Sequence, residues 1–290
     1  MILRIVPDVT AGTPPILLPK SASVSEAARL MHTHDVGAVL IVEGGELVGI
    51  FTERDVSFRV IAAGFKPDTI TLGEVMTPEP QTVSANDTAL SALERMAEHH
   101  FRHLPVADGH DLVGVVALRD VLAGATRQLS RELRRMSADL PPECRIATDI
   151  MRQTVLVTLP PEATVKHAAE RMMAKDIGAV LIIDDGKLAG IFTERDVSFR
   201  VVSENLDPDQ TPLGDVMSAD PVAIRPGDSC NDVVGKMQAG HFRHLPVVDG
   251  GKAIGILSIR DLFSYMRHRL ESHFEHEMIR RTRDMIRNYG

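Results

Sequence analysis

The sequence has few aromatic residues and few cysteines, with no tryptophan, two tyrosines and two cysteines among 290 residues. Aromatic residues make up only 4% of the chain, which argues against a stacking platform for single-stranded nucleic acid. Two cysteines cannot build a disulfide framework or a four-cysteine zinc site. No apolar run approaches the roughly 18 residues that a membrane span needs, and the first residues do not read as a secretory signal. We therefore expect a cytoplasmic protein that makes no membrane contact.

An excess of basic residues is also missing. Lysine and arginine number 32 and aspartate and glutamate number 40, so the formal net charge is −8. Proteins that coat nucleic acid usually carry a strongly basic face, so nucleic acid is not expected as a partner. Apolar residues account for 44% and charged residues for 25%, which is ordinary for a globular protein. At about 150 residues per domain, the length allows roughly two domains.

The chain is an internal duplication. Residues 49–60 recur without change as residues 190–201, at an offset of 141. Each half repeats again, more weakly, at an offset of 65, so that Gly49 falls on Gly114 and Gly190 on Gly255. The sequence therefore contains four similar units, which start near residues 20, 82, 157 and 222.

One unit is predicted to fold as β-α-β-β-α. Ser23 and Glu26 match a capping box, and the apolar spacing that follows them predicts a helix. Residues 38–51 predict two buried strands joined by a hairpin at Gly44 and Gly45, because glycine takes the positive φ of such turns. A second helix is predicted over 54–63. So small a unit exposes an apolar sheet face, and we expect it to pair with a neighbour.

These tandem units resemble the cystathionine-β-synthase (CBS) domain, a βαββα unit of about 60 residues that ends in Gly-φ-φ-Thr/Ser-x-x-Asp. The four copies of the motif run over residues 49–55, 114–120, 190–196 and 255–261. The second copy has Ala117 in place of the hydroxyl residue. The resemblance implies an α/β fold in which the four CBS units pair into two Bateman modules, and the spacing of apolar residues after unit four predicts a C-terminal amphipathic helix.

The resemblance also implies domain boundaries. Module 1 is expected over 1–140, with CBS units over about 15–65 and 80–125 and then a helix. Module 2 is expected over 141–265, with CBS units over about 150–206 and 215–265. The two modules should pack into a pseudo-symmetric disc, because the halves are nearly identical. The extension over 266–290 has apolar residues at helical spacing, and we expect it to pack or to join two copies into a homodimer.

Modules of this family commonly bind AMP, ADP, ATP or S-adenosylmethionine in two clefts. The resemblance therefore implies that this protein binds an adenosyl compound as a regulatory ligand. The aspartate of the motif would accept hydrogen bonds from the ribose hydroxyls, and the motif hydroxyl would lie at a helix start, which favours phosphate. The arginine before the aspartate would reach phosphate with its planar fork. In this chain the aspartates that would bind ribose are Asp55, Asp120, Asp196 and Asp261. The hydroxyl residues near phosphate would be Thr52, Thr193 and Ser258, and the arginines that reach phosphate would be Arg54, Arg195 and Arg260.

Two further groups follow from position in the family pattern. The residues before the first buried strand would hold the adenine, and they are Val36, Gly37, Ile177 and Gly178. The facing unit would supply groups near the phosphate, and they are Arg102, His103, Arg243 and His244.

Each assignment has a purely structural alternative. Thr52 and Asp55 are good helix-capping residues, and Arg54 and its equivalents could be solvated surface charges. The pair Arg102 and His103 could serve only to shape the entry to a strand. The twelve histidines include three His-x-x-His pairs, two of them related by the duplication, but no further ligand completes a tetrahedral set, so we predict no metal site.

The favoured function is a cytoplasmic sensor of adenine nucleotide that passes its occupancy to a separate effector protein. No nucleophile elbow, P-loop or zinc-protease motif is present, so we predict that the protein is not an enzyme and has no catalytic cofactor. The alternative is a structural or assembly protein whose clefts are empty or degenerate. If nucleotide binds, the Asp120 cleft should be the weakest, because Ala117 removes one hydrogen bond to phosphate.

Overall fold

The first unit has the predicted βαββα order. In the computed structural model it comprises β1 (Leu17–Leu18), α1 (Val24–Thr33), β2 (Ala38–Glu43), β3 (Glu46–Thr52), α2 (Glu53–Asp55), α3 (Leu72–Val75) and β4 (Thr77–Pro78). Helix α2 continues as a π-helical segment over Val56–Ile61. The Ser23 hydroxyl caps α1 by accepting the Glu26 N–H. Gly44 and Gly45 turn β2 into β3 with φ values of 61° and 89°, as the hairpin requires.

The other units repeat this plan. Unit two has β5 (Val83–Ser84), α4 (Ala89–Glu98), β6 (His103–Asp108) and β7 (Asp111–Ala117). Unit three has β8 (Thr158–Leu159), α5 (Val165–Lys175), β9 (Ala179–Asp184), β10 (Lys187–Thr193), α6 (Glu194–Asp196), a π-helical segment over Val197–Val202, α7 (Leu213–Val216) and β11 (Ser218–Ala219). Unit four has α8 (Cys230–Ala239), β12 (His244–Asp249) and β13 (Lys252–Ser258).

The structure describes residues 4, 5, 9, 14–99, 101–109, 111–118, 120–121, 150, 156–262 and 264–265. The predicted C-terminal helix over 266–290 and the predicted helix after unit two lie outside the described residues. Within the described ranges, no helix is both long enough and apolar enough to cross a membrane.

The sheets of units one and three have short outer strands on both sides of a central antiparallel hairpin. In unit one the strand order is β1-β2-β3-β4, with β1 parallel to β2 and the other pairs antiparallel. Unit three has the equivalent order, β8-β9-β10-β11. The motif threonine closes the long inner strand in both sheets, at Thr52 of β3 and Thr193 of β10, so the second helix of the unit starts at the sheet edge.

Within each half the two units pack sheet against sheet. Leu40 and Ile50 of unit one form an apolar cluster with Leu112 and Val115 of unit two. The equivalent cluster in the second half joins Leu181 and Ile191 to Ala253 and Ile256. The expectation that a unit covers its apolar sheet face with a neighbour is confirmed, since both faces lose contact with water.

The two halves pack helix against helix. One apolar core spans them and contains the fully buried Phe51 and Phe192. Helix α1 packs against Val197–Val202, and α5 packs against Val56–Ile61. Units one and three therefore meet at the centre, and the charged start of each second helix lies at this interface.

The halves differ at this interface at His32. The His32 ring stacks on Phe199 with 5.1 Å between centroids, and its Nδ1 lies 3.1 Å from the Ser203 hydroxyl. The duplication places Met173 at the position equivalent to His32. The interface is therefore only approximately symmetric.

Candidate functional site

The hydroxyl and the aspartate of each described motif bond to each other. The Thr52 N–H and hydroxyl donate to Asp55 Oδ2 at 2.9 and 2.7 Å. The same two bonds measure 2.8 and 2.7 Å between Thr193 and Asp196, and 2.8 and 2.6 Å between Ser258 and Asp261. The Asp196 and Asp261 N–H groups donate back to the Thr193 and Ser258 hydroxyls at 3.3 and 3.2 Å, and such reciprocal bonds cap the second helix. The helix-capping alternative is therefore one role of these residues.

The second oxygen of the aspartate faces an arginine. Arg59 Nε lies 3.2 Å from Asp55 Oδ1, and Arg200 Nε lies 3.3 Å from Asp196 Oδ1. Burial raises the pKa of both Asp55 and Asp196 above the ordinary aspartate value, against the lowering effect of these arginines and of the threonine hydrogen bonds. The sequence motifs did not identify Arg59 and Arg200 as site residues, although their i,i+4 spacing from the aspartate could have indicated them.

The glutamate after each motif threonine is buried, and the sequence analysis did not single it out. Glu53 is 2% exposed. Both Nη atoms of Arg243 donate to its carboxylate, and Arg195 Nε donates to Oε1 at 3.1 Å. Burial alone would raise the pKa of Glu53, but Arg243 and Arg195 outweigh it and hold the pKa below its ordinary value. Glu53 is therefore a buried carboxylate held ionised by two guanidinium groups.

Glu194 occupies the equivalent place in the second half and is 3% exposed. Arg102 donates to its two oxygens at 2.5 and 3.2 Å, and Arg54 Nη1 lies 3.5 Å from Oε1. Arg54 also pairs with Asp176, as Arg195 pairs with Asp35. Each of these pairs joins one half of the chain to the other. We call these pairs of Glu53 and Glu194 with arginines the central ion pairs.

Among the described residues, three cavities open beside the motifs. The first, of about 290 Å³, lies at Thr52 and Asp55 and is also lined by Pro80 and Gln81, which follow β4, and by residues 101–104. The second, of about 370 Å³, lies at the equivalent place in the second half, beside Thr193 and Asp196. The third, of about 250 Å³, lies at Ser258 and Asp261 and is lined by residues 175–179. Arg102 and Arg243 line all three cavities.

A family model described as the CBS domain matches residues 8–61, 72–125, 147–203 and 213–268. The chain belongs to the CBS-domain family. The CBS domain-containing protein CBSCBSPB3 of Arabidopsis thaliana is 28% identical over 262 residues, which cover 81% of this chain and 47% of that protein. The CBS domain-containing protein YhcV of Bacillus subtilis is 41% identical over 110 residues, which cover 38% of this chain and 76% of that protein. The chain spans about half the length of the Arabidopsis relatives that it matches.

The four CBS units together match a solved structure. MJ1225 of Methanocaldococcus jannaschii, proposed as an archaeal homologue of g-AMPK, superposes with a TM-score of 0.71 at 18% identity, over 91% of this chain and 100% of that one. A sequence alignment with the same protein gives 30% identity over 194 residues, 64% of this chain and 67% of MJ1225. The fold of four paired CBS units is therefore shared with MJ1225.

In units two, three and four, residues just before the first strand of the central hairpin line a cavity, but not the same one. Ile177 and Gly178 line the third cavity, opposite Asp261. Phe101 and Phe242, at equivalent positions of units two and four, line the first and second cavities. The sequence analysis did not assign these two phenylalanines, although the 65-residue repeat places them opposite the motif aspartates.

The remaining predicted residues lie at the centre of the CBS pairs. Val36 packs against the central apolar core, and Gly37 lies beside His103 and Arg243. Arg260 lines the first and third cavities, where burial, Arg102 and Arg54 lower its pKa below the ordinary arginine value. Burial would lower the pKa of Arg243, but Glu53, then Glu194 and then Asp120 raise it above the ordinary arginine value.

His244 is neutral in the folded protein. Burial first, and then Arg102, Arg243 and Arg260, lower the pKa of His244 to about 3. A neutral imidazole donates one hydrogen bond but carries no charge to a phosphate. Within the described residues, no group of three or more histidine, cysteine, aspartate or glutamate side chains is arranged to hold a metal ion.

Gly37→Ala is expected to lower the free energy of unfolding by about 1–3 kcal/mol, as overpacking does. A Cβ at this position would lie 2.9 Å from both Arg243 Nη2 and His103 Nε2, and 3.3 Å from Glu53 Oε1. Urea unfolding followed by circular dichroism measures the change. Gly227→Ala is the matched control, because its Cβ would meet nothing within 4 Å. Equal unfolding midpoints for the two variants would contradict the close approach at Gly37.

Proposed function

We propose that this CBS-domain protein is a regulatory protein that binds adenine nucleotide in the clefts of its CBS pairs and passes their occupancy to an effector protein in the cytoplasm. The observation that carries the proposal is that the three cavities share one composition. Each has a hydroxyl–aspartate pair at a helix start on one wall, and each is bordered by Arg102 and Arg243. A ribose acceptor and phosphate donors thus lie within one small cavity.

The size and charge of the cavities suit a mononucleotide. Volumes of about 250 to 370 Å³ lie at the small end of ligand pockets. In the first cavity, Asp55 would accept from the ribose, and Arg54, Arg102 and Arg260 would contact phosphate. Phe101 would lie against the adenine, since an aromatic face packs well on a base.

The clefts are proposed to bind unequally. Asp120 lies close enough to Arg243 to affect its pKa, but Ala117 offers no hydroxyl beside it. The Asp120 cleft would therefore fill last. The fold shared with MJ1225, itself proposed as a homologue of g-AMPK, supports a regulatory rather than a catalytic role. A ligand can act on an effector only by binding two conformations with different affinity, so the effector must distinguish them.

Asp196→Asn is expected to weaken AMP binding by roughly ten- to a hundredfold, because it removes a charged acceptor for the ribose. Asparagine keeps an oxygen that can accept the Thr193 N–H, so the helix cap is disturbed less than by alanine. Isothermal titration with AMP, ADP and ATP measures the affinities. Asp120→Asn is the matched control and should change little. A complete loss of binding in Asp120→Asn together with full binding in Asp196→Asn would overturn the assignment of residues.

A second candidate is an assembly protein with empty clefts. It is favoured by one observation, that the motif groups already bond within the protein: Asp55 to Thr52 and Arg59, and Glu53 to Arg243. Thermal unfolding distinguishes the two candidates. A ligand present at 100 times its Kd should stabilise the protein by about 2.7 kcal/mol. No stabilisation by AMP, ADP, ATP, NAD or S-adenosylmethionine would favour the assembly protein.

A further inference from the structure

Two buried carboxylates occupy the arginines that face the cavities. Arg243 binds Glu53 with both Nη atoms, and Arg102 binds Glu194 in the same bidentate manner. The two arginine side chains are each 18% exposed, and both border all three cavities. The two arginines shared by all three cavities are thus already paired with an anion of the protein itself.

A carboxylate and a phosphate compete for the same face of a guanidinium. Arginine presents its donors in a fixed planar fork, and either anion can take two of them at once. A phosphate that takes the fork of Arg102 or Arg243 must therefore displace a glutamate or share donors with it. Within the described residues, Arg54 Nη1 and Arg195 Nη2 are buried without a hydrogen bond, and Arg54 Nη1 lies 3.5 Å from Glu194 Oε1.

The central ion pairs also hold the two modules together. Glu53 belongs to module 1 and is bound by Arg195 and Arg243 of module 2. Glu194 belongs to module 2 and is bound by Arg54 and Arg102 of module 1. Any phosphate that draws Arg102 or Arg243 from its glutamate therefore removes a contact between modules.

We propose that Glu53 and Glu194 are internal anions that compete with ligand phosphate for Arg243 and Arg102, so that nucleotide binding weakens the contact between the two modules. This inference rests on the proposed nucleotide site. It adds that the two glutamates lower the affinity for phosphate and that ligand binding loosens the contact between the modules. The coupling is reciprocal, because a change that strengthens the module contact must weaken phosphate binding by the same factor.

The test compares AMP with adenosine on isosteric variants. Glu194→Gln and Glu53→Gln keep the shape of the side chain and remove its charge, and we expect each to bind AMP about tenfold more tightly, as for the loss of one charged competitor. Adenosine has no phosphate, and its affinity should not change. Asp35→Asn is the matched control: it removes a charge from the same arginine cluster at a side chain that is 70% exposed, so AMP affinity should change by less than about twofold.

The outcomes separate this inference from the proposed function. AMP binding that is equal in the wild type and both glutamine variants would overturn the inference and leave the proposed function standing. If neither the wild type nor the glutamine variants bind AMP or adenosine, the proposed function fails, and pyrophosphate replaces AMP as the probe. Tighter pyrophosphate binding by the glutamine variants than by the wild type would then still support the internal anions. Equal or absent pyrophosphate binding in all proteins would overturn them.

Hydrogen exchange on the wild-type protein tests the second half of the inference without any variant. Amides of α1 and of Val197–Val202 should exchange faster with saturating AMP than with saturating adenosine, because these segments form the module contact. Pyrophosphate against buffer is the comparison if AMP does not bind. Exchange that is equal or slower with the phosphate ligand would overturn the proposed weakening, and this holds even where the glutamine variants do not fold.

Discussion

Glu53→Ala is expected to lower the free energy of unfolding by about 3–5 kcal/mol, which is the usual cost of leaving a buried charge without its partner. The side chain is 2% exposed, and its loss leaves the Arg243 and Arg195 guanidinium groups facing each other without the carboxylate between them. Both arginines are largely enclosed, so water replaces the lost carboxylate poorly. Urea unfolding measures the change, read from the midpoint at constant m-value.

The control for this variant is Glu26→Ala. Glu26 is an exposed residue in the first turn of α1, so its loss should cost at most about 1 kcal/mol through the helix dipole. The double variant Glu53→Ala with Arg243→Ala should cost less than the two single changes added together, because it also removes an unpaired cation. Equal destabilisation by Glu53→Ala and Glu26→Ala would show that the central ion pairs do not stabilise the fold.

Acid is expected to destabilise the protein through His244, with a slope of about 1.4 kcal/mol per pH unit for one proton. The folded pKa of about 3 lies below the ordinary value of 6.5. Between these values the unfolded chain binds a proton that the folded protein does not. The stability from neutral His244 is therefore complete above pH 6.5 and is lost as the pH falls toward 3.

The measurement is the free energy of unfolding at several pH values from 7 down to about 5, in wild type and in His244→Gln. The difference between the two proteins isolates His244 from the carboxylates, since the raised pKa values of Asp55 and Asp196 act in the opposite direction. His167→Gln, at an exposed position of α5, is the control and should keep the wild-type slope. A wild-type slope in His244→Gln would contradict the prediction.

The repeats made much of the fold predictable. The exact recurrence of residues 49–60 required two equivalent halves, and the apolar face of each hairpin required a covering neighbour. The glycine pair at the first hairpin and the cap at Ser23 were read correctly, because turns and caps depend on a few neighbouring residues. The hydrogen bond between Thr52 and Asp55 was also predictable from the sequence, because a capping box spans only four residues.

The cavities were only partly predictable. Ile177 and Gly178 do line a cavity, but the partners opposite Asp55 and Asp196 are near Phe101 and Phe242. A local pattern marks the entry to a strand without showing which motif that strand faces. The facing motif depends on how two sheets pack, which is a contact between residues far apart in the chain.

The sequence by itself determined the number of units, their internal order and the short-range bonds of the motif. Only the tertiary structure decided that Glu53 and Glu194 are buried, because a glutamate in the first turn of a helix ordinarily faces water. Their burial requires units one and three to meet helix against helix, and their ionisation requires arginines from the opposite module. Long-range packing brings those charges within about 3 Å of each other. A local pattern of residues cannot predict this proximity, because the paired residues lie about 90 to 140 positions apart in the chain.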